Sequence, residues 1–479
     1  MFNKNTQRVW IRTLQVTASS VSSRSLLLGF HTSTPQHLAY AMAAEVDRIS
    51  FLPLEIKIEI LSRLSIKDAV RTSALARSWR HLWTHLPCLR LSSGKDPLGN
   101  PRNDLTVPSC WIQRVHRLVS SLRGPFSVFE LFSCWPLDDQ SVVQSLLDLL
   151  LQKGGVETLD LFFHNDTAKI HLPWFHSLRV LRLFICHVAL PIGFRGFHRL
   201  ETLHLSDVRI SNDDLNLLLR TSNNLTSLVI SNCRTLENPL SVNLNLPLLR
   251  HLKFTFNKFV ENFSVVSSPC LEHAEINYYN IDYSSQNFAQ MVLRLVTSLA
   301  MVSSLKLNFD ILKFLSLVIL PFNFNIPRLK FLMFSLDVNT MDRRVYDAFF
   351  WLLRSMPFLE ELEVELESME YHDQFDRLAI LMKELLVKKH DGFACLKRTL
   401  TSVTINTRWL DVIGSIAWIQ FFLLNAKGLK LLKIDYVDGG DLMSSFIEEL
   451  QKVEVTSCDA KVMFFNRDTR QITTLCMND

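Results

Sequence analysis

The chain has 479 residues, of which 48% are apolar and only 13 are glycine. This length and composition favour several domains or a repeat architecture with an extensive core, and they exclude a fold built on many glycine turns. The formal charge of +4 lies at one end, because the first 44 residues hold four basic and no acidic side chains, whereas the rest holds 47 of each. A neutral body lacks the clustered basic face that nucleic-acid binding requires, so no nucleic-acid partner is expected.

The nine cysteines form no C-x-x-C pair. They are typical of reduced thiols in a large chain, and they predict neither a disulfide framework nor a zinc site. The most apolar runs, near residues 317 and 418, are too short or too interrupted to cross a bilayer. The sequence therefore predicts no membrane partner.

Residues 1–44 are rich in Ser and Thr and lack acids, which is the composition of a transit peptide. A second interpretation is an upstream extension, because Met42 opens a stretch that resembles an ordinary protein start. We expect residues 1–44 to be a disordered leader or a transit peptide, with mitochondrial import if residues 1–41 act in targeting.

Residues 47–92 predict three short helices. Pro53 and Glu55 suit the first turn of a helix, and Ser65 can cap a second helix. A third helix is predicted from Ala74 to His85, before Pro87. Three such helices cannot bury all the apolar side chains they carry, so the sequence predicts an exposed apolar patch for a protein partner.

The stretch SALARSWRHLWTHLP, residues 73–87, has three competing interpretations. Its arginines could clamp a nucleic acid, its histidines at 81 and 85 could bind a metal, or its leucines and tryptophans could be core. A metal pair lacks a third ligand and the acid that a metallohydrolase carries beside its first histidine, and the neutral body disfavours nucleic acid. We therefore expect core and interface here, and no metal site.

A degenerate L-x-x-L-x-L motif recurs along the body. Its instances begin at residues 156, 178, 200, 225, 249, 271, 302, 329 and 359, and the first six are 22, 22, 25, 24 and 22 residues apart. This period is that of a leucine-rich repeat, in which each short strand buries its apolar face only against neighbouring repeats. Stacked repeats over residues 150–370 are therefore predicted.

Alternate residues of these strands are expected to point into one open face. The row drifts from basic toward acidic, which suits a protein ligand better than a small molecule. The candidate target-binding residues are Arg182, His204, Lys253, Glu275 and Lys306.

Residues 47–92 resemble a plant F-box. The matching residues include Leu52-Pro53, Ile60-Leu61-Ser62, Lys67-Asp68, Val70-Arg71-Thr72-Ser73, Trp79, Leu82-Trp83 and Leu86-Pro87. The resemblance implies docking on the Skp-type adaptor of a cullin-RING ubiquitin ligase. The residues implied in adaptor binding are Leu52, Pro53, Ile56, Ile60, Leu64, Trp79 and Leu82, with Trp79 and Leu82 also packing the helices together.

Residues 390–440 resemble the FBD domain that follows F-box and leucine-rich repeats in many plant proteins. The similarity rests on Cys395-Leu396-Lys397, Leu400, Val403 and Ile405, then Leu423 to Ala426, then Leu429, Leu432 and Ile434. A strand, helix and strand here would cap the repeats. The expected fold is thus α/β: a three-helix F-box, a curved leucine-rich-repeat solenoid, an FBD cap at 390–440 and a tail at 441–479.

Function follows from this resemblance and from the motifs. The sequence contains no phosphate-binding loop, dinucleotide fingerprint, H-E-x-x-H or G-x-S-x-G motif, so we expect no catalytic residue and no cofactor. The resemblance implies a substrate-recognition subunit of an SCF ubiquitin ligase in the cytoplasm or nucleus, with an unidentified target. The alternative is a repeat scaffold that binds proteins without ubiquitin transfer, in an organelle if the leader is real.

Overall fold

A computed structural model of the chain describes two compact units, which divide between Arg199 and Leu200. The described residues are 49, 51–92, 108–133, 140–164, 168–235, 239–257, 260–278, 286–321, 323–337, 343–367, 392–407, 414–437, 450, 456–457 and 459–476. The predicted leader at 1–44 lies outside them. Within these ranges no helix has the length and apolar character that crossing a bilayer requires.

The first unit begins with two α-helices, α1 (Leu54–Ser62) and α2 (Ile66–Arg71). Glu55 lies in the first turn of α1, where a negative charge favours the helix dipole. Ser65 caps α2 by accepting a hydrogen bond from the backbone N–H of Asp68, at 3.2 Å. Both predicted helix starts are therefore present.

The predicted third helix, Ala74 to His85, is wrong. Three single 3-10 turns occupy this stretch: Thr72–Ala74, Arg77–Trp79 and Leu82–His85. The backbone is extended at Ala76 and Arg80, and it is left-handed at His81, with φ of 68°. Tertiary contacts prevail here over helix propensity. The interrupted helix buries Trp79 fully in the core. It also lets the carbonyls of Thr84 and Pro87 accept hydrogen bonds from the backbone N–H groups of Arg123 and Ser127.

A parallel sheet follows in the first unit. Its strands are β1 (Cys88–Ser92), β2 (Val128–Phe132), β3 (Thr158–Phe162) and β5 (Val180–Phe184), in that order. The strands β1 and β2 precede the first predicted repeat, so the sheet starts directly after the F-box-like helices. The sequence missed them because neither carries the full repeat motif.

Helices α3 (Pro108–Ser121) and α4 (Gln140–Lys153) and a small parallel pair, β4 (Lys169–His171) and β6 (His187–Ala189), complete the first unit. The side-chain amide of Gln144 on α4 makes the two backbone hydrogen bonds that a neighbouring strand would make. It donates to the His171 carbonyl and accepts from the His171 N–H, both at 3.0 Å. The side chain thus satisfies backbone groups at the edge of this small sheet.

The second unit contains one large sheet whose strand order follows the chain. Its strands are β7 (Thr202–Ser206), β9 (Ser227–Ser231), β11 (His251–Phe256), β13 (His273–Tyr278), β14 (Ser304–Leu307), β15 (Phe331–Asp337), β16 (Glu361–Glu367), β17 (Ser402–Thr407), β18 (Leu431–Tyr436), β19 (Lys461–Asn466) and β20 (Ile472–Cys476). All neighbours are parallel except β19 and β20. Each of the nine repeat motifs found in the sequence leads into a strand, two in the first unit and seven here.

Burial alternates along these strands, as the motif requires. In β9, for example, Leu228 and Ile230 are buried, whereas the side chains on either side of them are partly exposed. The buried face packs against helices, and the other face forms an open surface. These helices are α5 (Asn212–Thr221), α6 (Gln286–Ser298), α7 (Phe309–Leu315), α8 (Arg343–Arg354), α9 (Ala394–Arg398) and α10 (Gly414–Asn425), with β8 (Arg209–Ile210), β10 (Leu240–Asn245) and β12 (Val260–Ser267) completing the unit.

In the second unit, side-chain amides of a helix also hydrogen-bond to backbone groups at the edge of a small sheet. On α5, Asn212 donates to the Pro239 carbonyl at 2.9 Å and accepts from the Ser241 N–H at 2.8 Å. One helical turn later, Asn216 donates to the Ser241 carbonyl at 3.0 Å. The edge of the β10–β12 pair is thereby satisfied by side chains.

Residues in the left-handed region end several strands. They are Ile185 after β5, Asp207 after β7 and Asn232 after β9, with φ of 54°, 55° and 52°. The amide of Asn232 donates to the Asp207 carboxylate and accepts from Asn257 at 2.9 Å. Nearby, buried Cys233 donates weakly to the Leu205 carbonyl at 3.6 Å, and burial raises the pKa of its thiol to about 12.

The predicted strand, helix and strand at 390–440 are present as β17, α10 and β18, but they do not end the sheet. Strand β18 pairs with β19, and β19 pairs with the antiparallel β20. The stretch assigned to a tail therefore supplies the outer strands, because its alternating apolar residues, such as Val462 and Phe464, add one more buried strand face. The cap of the sheet is the β19–β20 hairpin.

Candidate protein-interaction surfaces

One candidate surface lies at the start of α1. Phe51 and Leu54 are 81% and 49% exposed, Pro53 between them is exposed, and Leu52 is half-buried. We call Phe51, Leu52, Pro53 and Leu54 the N-terminal apolar face. Four consecutive apolar residues at a helix start, with this much surface in water, are typical of an interaction site.

The other residues predicted for adaptor binding divide into two groups. Ile60 and Trp79 are each 1% exposed and pack inside the module, so they support the surface and do not reach a partner in this conformation. Ile56, Leu64 and Leu82 are half-buried. The buried Lys57 lies with its Nζ 5.9 Å from the centre of the Trp79 ring, which adds a cation–π contact beneath this region.

The open sheet face of the first unit carries charges that pair among themselves. Arg90 of β1 contacts Glu130 of β2 at 2.9 Å, and Arg182 of β5 contacts Asp160 of β3 at 3.5 Å. Candidate target-binding residue Arg182 is thus already in an ion pair. Its partner Asp160 has a raised pKa, because burial disfavours the carboxylate more than Arg182 favours it, and Glu130 adds repulsion.

The open sheet face of the second unit contains a cavity of about 190 Å³. It spans β9, β11, β13 and β14, and three of the predicted target-binding residues, Lys253, Glu275 and Lys306, line it. His204 lies on β7 and is in register with Val229 at the edge of this cavity. The candidate target-binding residues of this unit therefore lie close together, and their role in binding stays a prediction.

Electrostatics inside the cavity centre on Glu275. Burial acts to raise its pKa, but hydrogen bonds from Lys253 and Asn277 outweigh it and the net pKa is lowered. The Lys253 Nζ lies 2.6 Å from the Glu275 carboxylate. This pair is internally neutral at physiological pH, and Lys306 adds a further positive charge beside it.

Two histidines that the sequence did not single out also line the cavity. His251 and His273 lie opposite each other on β11 and β13, with ring centres 4.8 Å apart and planes inclined by 2°. Both are exposed. The alternation that points Lys253 and Glu275 outward reaches them when it is extended two residues toward the strand start, and this signal could have identified them.

A different chemistry appears on β15 and β16. Phe331 and Met333 of β15 present apolar side chains, and Glu361, Glu363 and Glu365 of β16 follow in register. Asn406 of β17 donates a hydrogen bond to Glu363. The open face therefore changes from basic at Lys306, through apolar, to acidic within three strands.

Metal chemistry has no support on these surfaces. The described ranges hold no group of three or more His, Cys, Asp or Glu side chains placed to bind a metal ion. His81 and His85 are both exposed, and neither belongs to such a group.

Comparison with known proteins agrees with this description. The F-box domain family matches residues 49–91, and the leucine-rich-repeat family described as "FBD-associated F-box protein At5g56370, LRR repeats" matches residues 143–364. The chain therefore contains a stretch similar to the F-box domain, followed by a stretch similar to these leucine-rich repeats. F-box domains generally bind Skp-type adaptors, and proteins that join an F-box to such repeats are generally adaptors without catalytic activity.

Relatives in Arabidopsis thaliana bear related names. The F-box/FBD/LRR-repeat protein At1g13570 is 30% identical over 181 residues, which cover 37% of this chain and 42% of that protein. The F-box/LRR-repeat protein At2g42720 is 29% identical over 260 residues, or 52% of each chain. The F-box/FBD/LRR-repeat protein At1g51370 is 48% identical over 63 residues, or 13% of this chain and 14% of the relative. The chain therefore spans about half, or less, of the length of these relatives.

Proposed function

We propose that this F-box protein is a substrate-recognition subunit of an SCF-type ubiquitin ligase. The N-terminal apolar face binds a Skp-type adaptor, and through it a cullin. The open sheet face of the second unit binds the target protein. The observation that carries the proposal is the exposed Phe51-to-Leu54 segment at the start of the F-box match, because a partner must cover so much apolar surface.

The chemistry of ubiquitin transfer belongs to other subunits in this proposal. Two binding surfaces on one chain hold a target near a charged ubiquitin-conjugating enzyme and raise the effective concentration of its lysines. Such a role requires no catalytic residue. The FBD unit at 390–440 would then extend the target-binding sheet, and we place the complex in the cytoplasm or nucleus.

Co-precipitation of a purified Skp-type adaptor with the full chain tests the first step. Leu52→Ala/Pro53→Ala removes part of the exposed apolar face without opening the core, so we expect adaptor recovery to fall at least about tenfold. Equal recovery with the wild-type chain would refute the assignment. Recovery of the adaptor without ubiquitin transfer to any target would instead support the scaffold alternative.

The chain offers a matched control for this variant. Pro247 and Leu248 form an exposed Pro-Leu step outside the F-box match, and Leu248 is 46% exposed, whereas Leu52 is half-buried. Pro247→Ala/Leu248→Ala therefore removes exposed apolar surface of the same two residue types in the second unit. We expect it to leave adaptor recovery unchanged, and a loss as large as that of the first variant would mean that general apolar contact explains the result.

A further inference from the structure

Three neighbouring strands of the second unit carry a graded strip on their open face. The bipolar strip consists of Lys306 on β14, Phe331 and Met333 on β15, and Glu361, Glu363 and Glu365 on β16. Lys306, Met333 and Glu363 share one register row across the three strands. The strip is therefore a straight path across the sheet with a positive end, an apolar middle and a negative end.

The positive end is Lys306, whose charge favours the nearby Glu275 carboxylate but makes no ion-pair contact with it. Lys253 is paired with Glu275 at 2.6 Å, so Glu275 already has its partner. Among the described residues, no carboxylate oxygen lies within 4 Å of the Lys306 Nζ, which instead stands 5.9 Å from the centre of the Phe331 ring. The cavity beside it adds hydroxyl and imidazole groups from Ser304 and His273 that can donate to an anionic group.

The glutamates of the negative end also lack an ion-pair partner among the described residues. No Lys or Arg nitrogen in the described part of the chain lies within 4 Å of the Glu361, Glu363 or Glu365 carboxylates. The amide of Asn406 on Glu363 carries no charge. Other acids that border the strands of this unit are paired: Glu360 contacts Lys330 at 3.0 Å, and Glu272 contacts Arg250 at 3.2 Å. Charges without internal partners on an otherwise paired surface favour an external partner of opposite sign.

The spacing of the two ends defines that partner. Two strand intervals separate β14 from β16, or about 9.6 Å. A peptide in the extended polyproline II conformation has three residues per turn and rises about 3.1 Å per residue, so its side chains at i and i+3 face the same side about 9.3 Å apart, with a residue between them on an adjacent edge. We propose that the bipolar strip binds an extended target segment with an Asp or Glu side chain over Lys306, a basic side chain three positions away over the β16 glutamates, and an apolar residue between them on Phe331 and Met333. This inference rests on the proposed function, whose target site it specifies.

Selection from a displayed library of random twelve-residue peptides tests it, with the full chain bound to its adaptor as bait. The wild-type chain is expected to enrich peptides in which an acid and a base are three residues apart around an apolar residue. Lys306→Gln is expected to abolish the preference for the acid and to keep that for the base. Glu361→Gln/Glu363→Gln/Glu365→Gln is expected to do the reverse.

The most enriched peptide then gives a quantitative measure by fluorescence polarisation. Each lost ion pair at a partly exposed position is expected to weaken binding about two- to fivefold. Lys330→Gln/Glu360→Gln removes a charge pair that directly precedes the same two strands, outside the strip, and it is expected to change neither the selected pattern nor the affinity.

Two results would overturn the inference: no enrichment of paired charges by the wild-type chain, or the same charge pattern selected by the wild type and both strip variants. Adaptor recovery is measured on the same preparations. If the adaptor binds while the strip selects no charge pattern, the inference fails and the proposed function stands. If the adaptor does not bind, the proposed function fails, and selection by the chain alone still decides the inference.

Discussion

The open sheet faces of the two units use charge differently. In the first unit, Arg90–Glu130 and Arg182–Asp160 form pairs on neighbouring strands, and Phe132 and Phe162 stack beside them with ring centres 4.2 Å apart. In the second unit the Lys253–Glu275 pair is followed by Lys306 and a column of glutamates on β16. The charges of the first face lie in ion pairs, whereas Lys306 and the β16 glutamates make no ion-pair contact among the described residues. We propose that the outward residues of the second face serve recognition for this reason.

The largest expected effect comes from removing the most buried indole of each unit. Trp79 and Trp418 are 1% and 0% exposed, and replacing either by alanine should lower the free energy of unfolding by about 3–5 kcal/mol. Chemical denaturation measures the loss. Adaptor recovery should disappear for Trp79→Ala alone, since that indole supports the N-terminal apolar face. An equal loss of adaptor binding in Trp418→Ala would contradict the assignment of roles.

A smaller effect is expected at the left-handed positions that follow the strands. Ile185 in the first unit is β-branched, and this conformation costs such a residue more than it costs asparagine. Ile185→Asn should therefore raise the free energy of unfolding by about 1 kcal/mol. In the second unit, Asn232→Ile should lower it by about 2–3 kcal/mol, because the strain is added and the hydrogen bonds to Asp207 and Asn257 are lost. Changes of the same sign in both variants would show that side-chain packing, not backbone conformation, dominates at these positions.

Matched serine caps allow a third comparison. Ser65 accepts from the Asp68 N–H at 3.2 Å in the first unit, and Ser211 accepts from the Asp214 N–H at 3.0 Å in the second. Alanine at either position should cost about 1 kcal/mol. Amide hydrogen exchange should become faster in the helix that loses its cap, which is α2 for Ser65→Ala and α5 for Ser211→Ala. Threonine at the same positions is the control, and it should retain the protection from exchange. If Ser65→Ala alone affects exchange, the cap of the longer α5 is redundant.

The smallest effect is a pH dependence of opposite sign in the two faces. The pKa of Asp160 is raised above 3.8, so its unfavourable charge in the folded state makes stability fall as pH rises through that folded pKa. The pKa of Glu275 is lowered below 4.5, so its contribution is lost as pH falls through the folded value. Denaturation curves between pH 3 and 7 measure both effects. The free energy of unfolding of Asp160→Asn should rise relative to that of the wild type toward neutral pH. That of Glu275→Gln should fall less than that of the wild type as the pH is lowered. Water screens both groups, so each change should stay below about 1 kcal/mol; parallel pH profiles for the two variants would contradict the difference.

Much of the second unit could be predicted because its repeat sets both period and alternation. Leu203 and Leu205 or Leu252 and Phe254 are buried because a strand has two faces and the repeat leaves one of them dry. The outward positions of Lys253, Glu275 and Lys306 followed from the same rule. The ion pairs among them could not be predicted in this way. The sequence does not show that Glu275 contacts Lys253 and makes no ion-pair contact with Lys306.

The F-box region shows where prediction from sequence failed. Periodicity alone favoured a helix from Ala74 to His85, yet the left-handed His81 and extended Arg80 break it. Ile60 and Trp79 both lie in the core, as expected for the packing role of Trp79, and adaptor contact by either residue stays a prediction. A residue in a short module can be apolar for either reason, and only the packed structure separates the surface from its support. The strands at 461–476 were missed because they lack the leucine spacing of the repeats.

The chain-ordered pairing of the second unit has a consequence for protein synthesis. Within the second unit, each large-sheet strand from β9 to β20 hydrogen-bonds to the large-sheet strand that emerged from the ribosome just before it. The sheet can therefore lengthen strand by strand during translation, without waiting for a distant segment. Until the β19–β20 hairpin is made, every nascent intermediate exposes the open edge of its newest parallel strand. A ribosome stalled within this unit would thus release a product prone to pair with other chains.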